Sequence, residues 1–296
     1  MTDQRSYDDR DGLIWFDGEM VPWREANVHV LTHALHYASS VFEGQRAYSG
    51  EIFRLTDHSK RLKKSGELLG FDIPWSVEEI DQACRDVLAA SGMDDCYMRP
   101  LAWRGSEQMG VSAQKSKIHL AIAAWPWGAY FGEEAIMKGL RLDISPWRRP
   151  APYTAPVESK ASGLYMICTL ARHQAQARGF DDALMFDWRG QIAEGTGANA
   201  FFVKEGKLFT PTPDCFLNGI TRQTVIELAQ RRGIEVIEKA IWPEELEGFK
   251  QFFLTGSAAE VTPVASAGPW SFEVGEMTRQ LRKDYLDLAN RRISNS

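Results

Sequence analysis

The sequence predicts an α/β protein made of two mixed lobes of the α+β kind. Three observations predict it. Hairpin signals and capped helices are interleaved in the first half, without the strict βα alternation of a doubly wound sheet. A stretch rich in glycine and aromatic residues, "PWGAYFGEE", then interrupts the pattern, and a second series of strands and helices follows. The length, 296 residues, suffices for two cores.

In the first half, "LIWFDGEMVPW" places Asp17-Gly18 between apolar runs, a type I′ hairpin signal. "QRAYSGEIFRL" repeats it around Ser49-Gly50. A helix is expected from an Asp57 cap to Gly70, and another from a Ser76 cap to Gly92. "CYMRPLAWR" and "IHLAIAAW" read as strands. The expected lobes are 1–126 and 138–296, joined by a linker over 127–137. In the second half "LRLDIS" is a strand. The prolines at 146, 150, 152 and 156 then forbid helix and predict an irregular stretch. A helix follows from about Leu164 to Arg178. "ALMFDWRGQIAEGTGANAFFVKEGKLFTP" reads as a hairpin series, "ITRQTVIELAQRRG" as a helix, "IEVIEKAI" and "QFFLTG" as strands, and "EMTRQLRKDYLDLANRR" as a closing helix.

Composition narrows the function. The chain is 44% hydrophobic and 25% charged, ordinary for a globular protein. A net charge of −6 gives no electrostatic case for nucleic acid or an anionic membrane as partner. The first residues hold no apolar core of a signal peptide, and no apolar run approaches a membrane span. Cys84, Cys96, Cys168 and Cys215 are far apart and read as unpaired thiols of a reducing compartment, so a cytoplasmic location is expected.

Several motifs compete as sites. His29, His33 and His36 fit one helix face, but "VHVLT" favours strand and no carboxylate ligand stands near, so no metal site is expected. "GTGANA" fits a dinucleotide fingerprint, yet "FFVKEGKLF" follows it as a hairpin where a helix is required. "LNGITRQTVIELA" begins a helix after Gly219, where the backbone N–H groups and Thr221 form a phosphate cradle or an ordinary capped start. "TGSAAE" is a second small-residue turn, with Ser257. Lys160 lies among small residues in "PVESKASGLY". A lysine, a phosphate cradle and an acid, for which Glu194 is the candidate, are what pyridoxal phosphate requires.

The residues that carry a family resemblance are "HALHYASSVFEG" (33–44), "RL" (61–62), "YMRPL" (97–101), "QMGV" (108–111), "AAWPWGAY" (123–130), "SKASGLY" (159–165), "IAEGTGANAF" (192–201), "LNGITR" (217–222) and "TGSAAEVTPV" (255–264). Across nearly the whole chain they resemble the branched-chain amino acid aminotransferases of aminotransferase class IV. The resemblance implies the two-domain pyridoxal phosphate fold type IV, like that of D-amino acid aminotransferase. It also implies a ping-pong transamination of leucine, isoleucine or valine with 2-oxoglutarate. Lys160 would be the Schiff-base lysine, Glu194 the partner of the ring nitrogen and Tyr165 that of the phenolic oxygen. Arg61, Gly219, Ile220, Thr221 and Ser257 would hold the phosphate. Ser257, Ala258 and Tyr97 would hold the substrate carboxylate, and Arg99 the distal carboxylate of glutamate. Tyr37, Phe42, Trp127 and Tyr130 would wall the side-chain pocket. Val111 would reach the substrate from a neighbouring subunit of a homodimer or larger homo-oligomer. Leu164, Asn218 and Ala198 depart from the family pattern. The alternatives are D-amino acid or (R)-amine transamination, aminodeoxychorismate lyase chemistry, or a non-catalytic pyridoxal phosphate-binding protein.

Overall fold

A computed structural model describes residues 5–128 and 130–292, except the side chains of 133 and 135. Residue contacts divide the chain into two units. One is 1–128 with 159–164, and the other is 129–158 with 165–296.

The first unit contains β1 (Leu13–Phe16), β2 (Glu19–Pro22), α1 (His33–Tyr37), β3 (Ser40–Phe42), β4 (Gln45–Tyr48), β5 (Glu51–Ile52), α2 (Leu55–Leu68), α3 (Val77–Ser91), β6 (Cys96–Arg104) and β7 (Ile118–Trp125). Among the described residues its strands form one sheet in the order β2-β1-β7-β6-β4-β5, with β3 also on β6. Both expected hairpins and both helices are present, but Asp57 does not cap α2: the helix starts at Leu55 without a side-chain cap, and Asp57 lies in its first turn. The Ser76 hydroxyl caps α3 in a reciprocal box with Glu79, and Gly92 ends it in the left-handed region. Leu62 of α2 and Ile80, Cys84 and Val87 of α3 share a core with Trp15, Met98, Leu120 and Ile122 of the sheet.

The run from β3 to β4 is interrupted at one place. Pro100 lies in the interior of β6 and has no N–H to give a neighbour. Beside it the neighbouring chain is interrupted between β3 and β4, at Glu43-Gly44. There Glu43 N donates to Pro100 O at 2.8 Å. Gly44 is required, since a Cβ would collide with the Tyr97 hydroxyl.

Segment 159–164 belongs to the first unit rather than to the second lobe, where its place in the sequence puts it. Val41 bridges Ala161, Phe42 N donates to Lys160 O (3.1 Å), Lys160 N to Ser65 Oγ (3.0 Å) and Ser159 Oγ to Ser65 O (2.9 Å). The strand expected at "VHVLT" is absent. Residues 28–32 form turns stitched by their own histidines: His29 Nδ1 accepts from Leu31 N (3.1 Å), and His36 Nε2 lies 2.9 Å from Val30 O.

The second unit contains α4 (Gly132–Lys138), β8 (Leu140–Arg149), α5 (Met166–Ala177), β9 (Asp182–Asp187), β10 (Ile192–Gly195), β11 (Asn199–Lys204), β12 (Lys207–Pro211), α6 (Ile220–Arg231), β13 (Val236–Lys239), β14 (Gln251–Gly256), β15 (Glu260–Ala267), β16 (Trp270–Ser271) and α7 (Glu276–Ala289). Its strand order is β10-β9-β8-β15-β14-β11-β12-β13, and a further β10–β11 pairing closes six of these strands into a ring. The closing rung is Glu194 opposite Asn199. Phe202, Phe252, Leu254, Leu184 and Val264 belong to its core. Two expectations change here. Helix α4 forms inside the glycine-rich segment read as a linker. Strand β8 runs past Pro146 to Arg149, its register shifting between Ile144 and Arg148. After the turn at 257–259 the chain continues as β15, paired on both sides.

Candidate active site

In the first unit Lys160 faces a cluster of charges. Its amine lies 5.0 Å from the centre of the Phe42 ring. Burial lowers its pKa to about 8. The Arg61 charge adds to that effect, Glu43 and Tyr97 oppose it, and Arg99 contributes least. Arg61, on α2, grips a carboxylate that the sequence motifs do not single out. Its Nε and Nη2 donate to Glu43 Oε1 and Oε2 at 2.6 and 2.8 Å. His58, one turn earlier on the same helix face, donates from Nδ1 to Glu43 Oε2 at 2.7 Å. Glu43 is fully buried and His58 2% exposed. Burial alone would raise the Glu43 pKa. Arg61 and then His58 more than offset it and hold the carboxyl below the usual range. Burial also lowers the His58 pKa, against the pull of Glu43, so the imidazole is neutral at pH 7.

Arg99 extends from β6 over aromatic faces, 4.7 Å from the Phe42 ring centre and 5.3 Å from that of Tyr97. Its Nη2 donates to the Tyr97 hydroxyl at 3.2 Å. Its buried Nε has no hydrogen-bond partner among the described residues, an arrangement that fits an added anionic acceptor. Tyr97 also packs on Trp127, ring centres 4.8 Å apart. The sequence-predicted Lys160, Arg61, Phe42, Tyr97, Arg99 and Trp127 are thus brought together. Tyr37 and Val111 are placed differently. Tyr37 stacks on His33, and His33 Nε2 lies 2.8 Å from Gly110 O, in the loop that carries the 87% exposed Val111.

The second unit carries the remaining candidates. Glu194 sits on β10 beside a register shift and accepts from Asn199 Nδ2 at 3.0 Å. Buried Arg149, at the end of β8, lies 3.4 Å from it through Nε. Burial works to lower the Arg149 pKa, and Glu194, with smaller help from Cys168, Tyr165 and Cys215, raises it overall. Asn199 is also the link to α6: its Oδ1 accepts from Gly219 N at 3.2 Å, and a Cβ on Gly219 would strike that same oxygen. Helix α6 starts with no side-chain cap, so the N–H groups around Ile220 and Thr221 point outward from a helix N-terminus suited to phosphate. Asn218 accepts from the buried Arg222 at 2.9 Å and steadies that start. Ser257 and Ala258 form the β14–β15 turn. Gly256, just before it, packs on Gly197 O and Ala198. Tyr165 ends a short 3-10 turn ahead of α5, and Tyr130 lies against Arg172.

Sequence reasoning missed Glu43, His58, Arg149 and Asn199. The first two had a signal: histidine three residues before arginine on one helix face, with an unexplained glutamate after an apolar strand. Arg149 had none, because the prolines around it masked a strand.

Residues 40–267 match the family amino-transferase class IV. That span covers most of the chain. The chain belongs to the class IV aminotransferases. This class IV aminotransferase is 42% identical over 289 residues to a branched-chain-amino-acid aminotransferase of Pseudomonas aeruginosa, covering 95% of this chain and 94% of that protein. Among solved structures it resembles a T.th. branched-chain amino acid aminotransferase with pyridoxamine 5'-phosphate, at a TM-score of 0.92, 41% identity and 96% coverage of both chains. The Escherichia coli branched-chain enzyme is similar at a TM-score of 0.93 and 38% identity, with 97% of both chains covered.

Proposed function

We propose that this chain is a branched-chain amino acid aminotransferase. It exchanges the amino group of leucine, isoleucine or valine with 2-oxoglutarate, giving the branched 2-oxo acid and L-glutamate. The observation that carries the reading is the Lys160 amine, its pKa lowered by burial and by Arg61. Lowering an amine toward neutral pH prepares it both to bond a carbonyl carbon and to move a proton. The cofactor is pyridoxal 5'-phosphate, which supplies that carbonyl carbon and a ring that accepts electrons as the substrate α-proton leaves. Arg61, Gly219, Ile220, Thr221 and Ser257 hold its phosphate, Tyr165 its phenolic oxygen and Glu194 its ring nitrogen. The turn at Ser257 and Ala258, with Tyr97, receives the α-carboxylate. Lys160 carries the proton away from the α-carbon and returns it. Phe42, Tyr37, Trp127 and Tyr130 take the alkyl side chain.

The protein is also proposed to act in the cytoplasm and as a homodimer or larger homo-oligomer. Four unpaired, buried cysteines support a reducing compartment. Among the described residues no helix is long and apolar enough to cross a membrane. Val28, Val30, Leu31 and Leu35 are exposed at 47–73%, an apolar set suited to a second copy that Val111 also joins.

A visible spectrum of the purified protein tests the activity. The cofactor band should shift when L-leucine is added and return with 2-oxoglutarate. A band that ignores L-leucine but responds to D-alanine or an (R)-amine would replace the branched-chain reading.

Arg99 gives a sharper expectation. Glutamate brings a second carboxylate among aromatic walls, and burying it without a cation costs several kcal/mol. Leucine brings none. Arg99→Met should therefore slow the glutamate half-reaction roughly tenfold or more beyond any effect on leucine, as for loss of a charge-assisted bond. Stopped-flow rates for both amino acids on the one variant measure the ratio, and equal losses would move the distal-carboxylate role elsewhere.

A further inference from the structure

We propose that Glu43 and His58 are positioning residues of the reaction. They lock the Arg61 fork, and Glu43 supplies the negative charge that balances Arg61 beside the Lys160 amine. The inference rests on the reading of Lys160 and Arg61 given above.

The geometry is demanding. Glu43 lies on the same strand face as the fully buried Val41, Gln45 and Ala47, so strand alternation directs its carboxylate into the interior, where it is fully buried. Three charged or polar groups then saturate it: Arg61 twice, at 2.6 and 2.8 Å, His58 at 2.7 Å, and the Gly44 N–H at 3.2 Å. An ionised carboxylate only accepts, so the neutral His58 must hold its proton on Nδ1. The ring then serves as a fixed donor and not as a charge. The groups bearing on Lys160 are Arg61 from α2, Tyr97 and Arg99 from β6, and Glu43 itself. With Glu43 ionised, the two arginines face one balancing carboxylate. Without it, the Arg61 and Arg99 charges act on Lys160 with less opposition, and the amine gives up its proton more readily. A residue kept only for packing would not need a buried charge, since an apolar side chain of the same size stabilises such a position as well or better.

The test reads the Lys160 amine directly in the cofactor-free protein. Acetic anhydride labelling against pH, followed by mass spectrometry of the Lys160 peptide, gives the midpoint at which the amine becomes reactive. The wild-type midpoint should lie at about 8. Glu43→Gln should lower it by about one pH unit or more. His58→Gln keeps a donor toward Glu43 and should leave the midpoint nearly in place, as a neutral residue exchanged for another. Should Glu43→Gln fail to fold, the comparison moves to an Arg61→Met background, where the cation facing Glu43 is gone as well. Arg61→Met should raise the midpoint and Glu43→Gln/Arg61→Met should lower it again. A midpoint unmoved or raised by loss of Glu43 in both backgrounds overturns the proposal. Failure of the Lys160 reading is a separate result: borohydride would then fix pyridoxal phosphate on another lysine while the Glu43-dependent midpoint persisted.

Discussion

Lys160→Ala should abolish transamination, with kcat reduced by at least about a thousandfold, since one residue supplies both the covalent attachment and the proton transfer. The borohydride-trapped adduct should vanish with it. The physical case lies in how the sequence presents this lysine. Small residues on either side let 159–164 lie against β3 and α2, and Ser65 holds the Ser159 hydroxyl through its carbonyl and the Lys160 N–H through its own hydroxyl. The side chain is thereby fixed near Arg61, where burial and like charge lower its pKa to about 8. At pH 7 about a tenth of such amines are neutral, against a few in ten thousand for an ordinary lysine, a gain of roughly 300-fold in reactive form. In the cofactor-free protein the rate of reductive trapping with pyridoxal phosphate should accordingly rise through about pH 8 and level off above it. A trapping rate still climbing steeply at pH 10, or an adduct mapped to another lysine, would remove Lys160 from the centre of the chemistry.

Much of this is legible in the sequence alone, and what is not has identifiable causes. The Asp17-Gly18 and Ser49-Gly50 hairpins and the Ser76-capped helix are readable because the turn and cap chemistry is local. The failures involve long-range partners. Pro146 argues for an irregular stretch, but a register shift lets β8 pass it and bring Arg149 near Glu194. The "GTGANA" glycines are recognisable as part of a hairpin rather than a helix start. No local pattern could reveal that Glu194 and Asn199 pair as the rung that closes a ring of strands. Glu43 shows the same limit. Its partners lie fifteen and eighteen residues away on α2, and no local pattern shows that an inward strand position will hold a charge there. The position of Lys160 after the expected linker assigns it to the second lobe, yet its backbone hydrogen bonds run to β3 and α2.

Glu194→Gln should slow the single-turnover reaction with L-leucine by about a hundredfold while changing cofactor affinity only a few-fold. The asymmetry follows from what the substitution keeps. Glutamine has the shape of glutamate and retains an oxygen for the Asn199 amide, which donates to Glu194 at 3.0 Å. It loses the charge, and the charge is what holds a proton on a ring nitrogen. Without that proton the α-hydrogen is less acidic, and proton transfer by Lys160 is the step that suffers, within the range expected for general acid–base assistance. The carboxylate also has a partner in the protein. Arg149 is buried beside it, and its pKa is raised because of Glu194 despite burial. Removing the negative charge takes from the buried guanidinium its carboxylate partner, so the cofactor-free variant should also lose about 1–3 kcal/mol of stability. The two readouts separate the roles. A stability loss with an unchanged single-turnover rate would make Glu194 a structural partner of Arg149 and no more. A rate loss that persists in Glu194→Gln/Arg149→Met, where the buried cation is gone and stability recovers, would place the effect on the ring nitrogen.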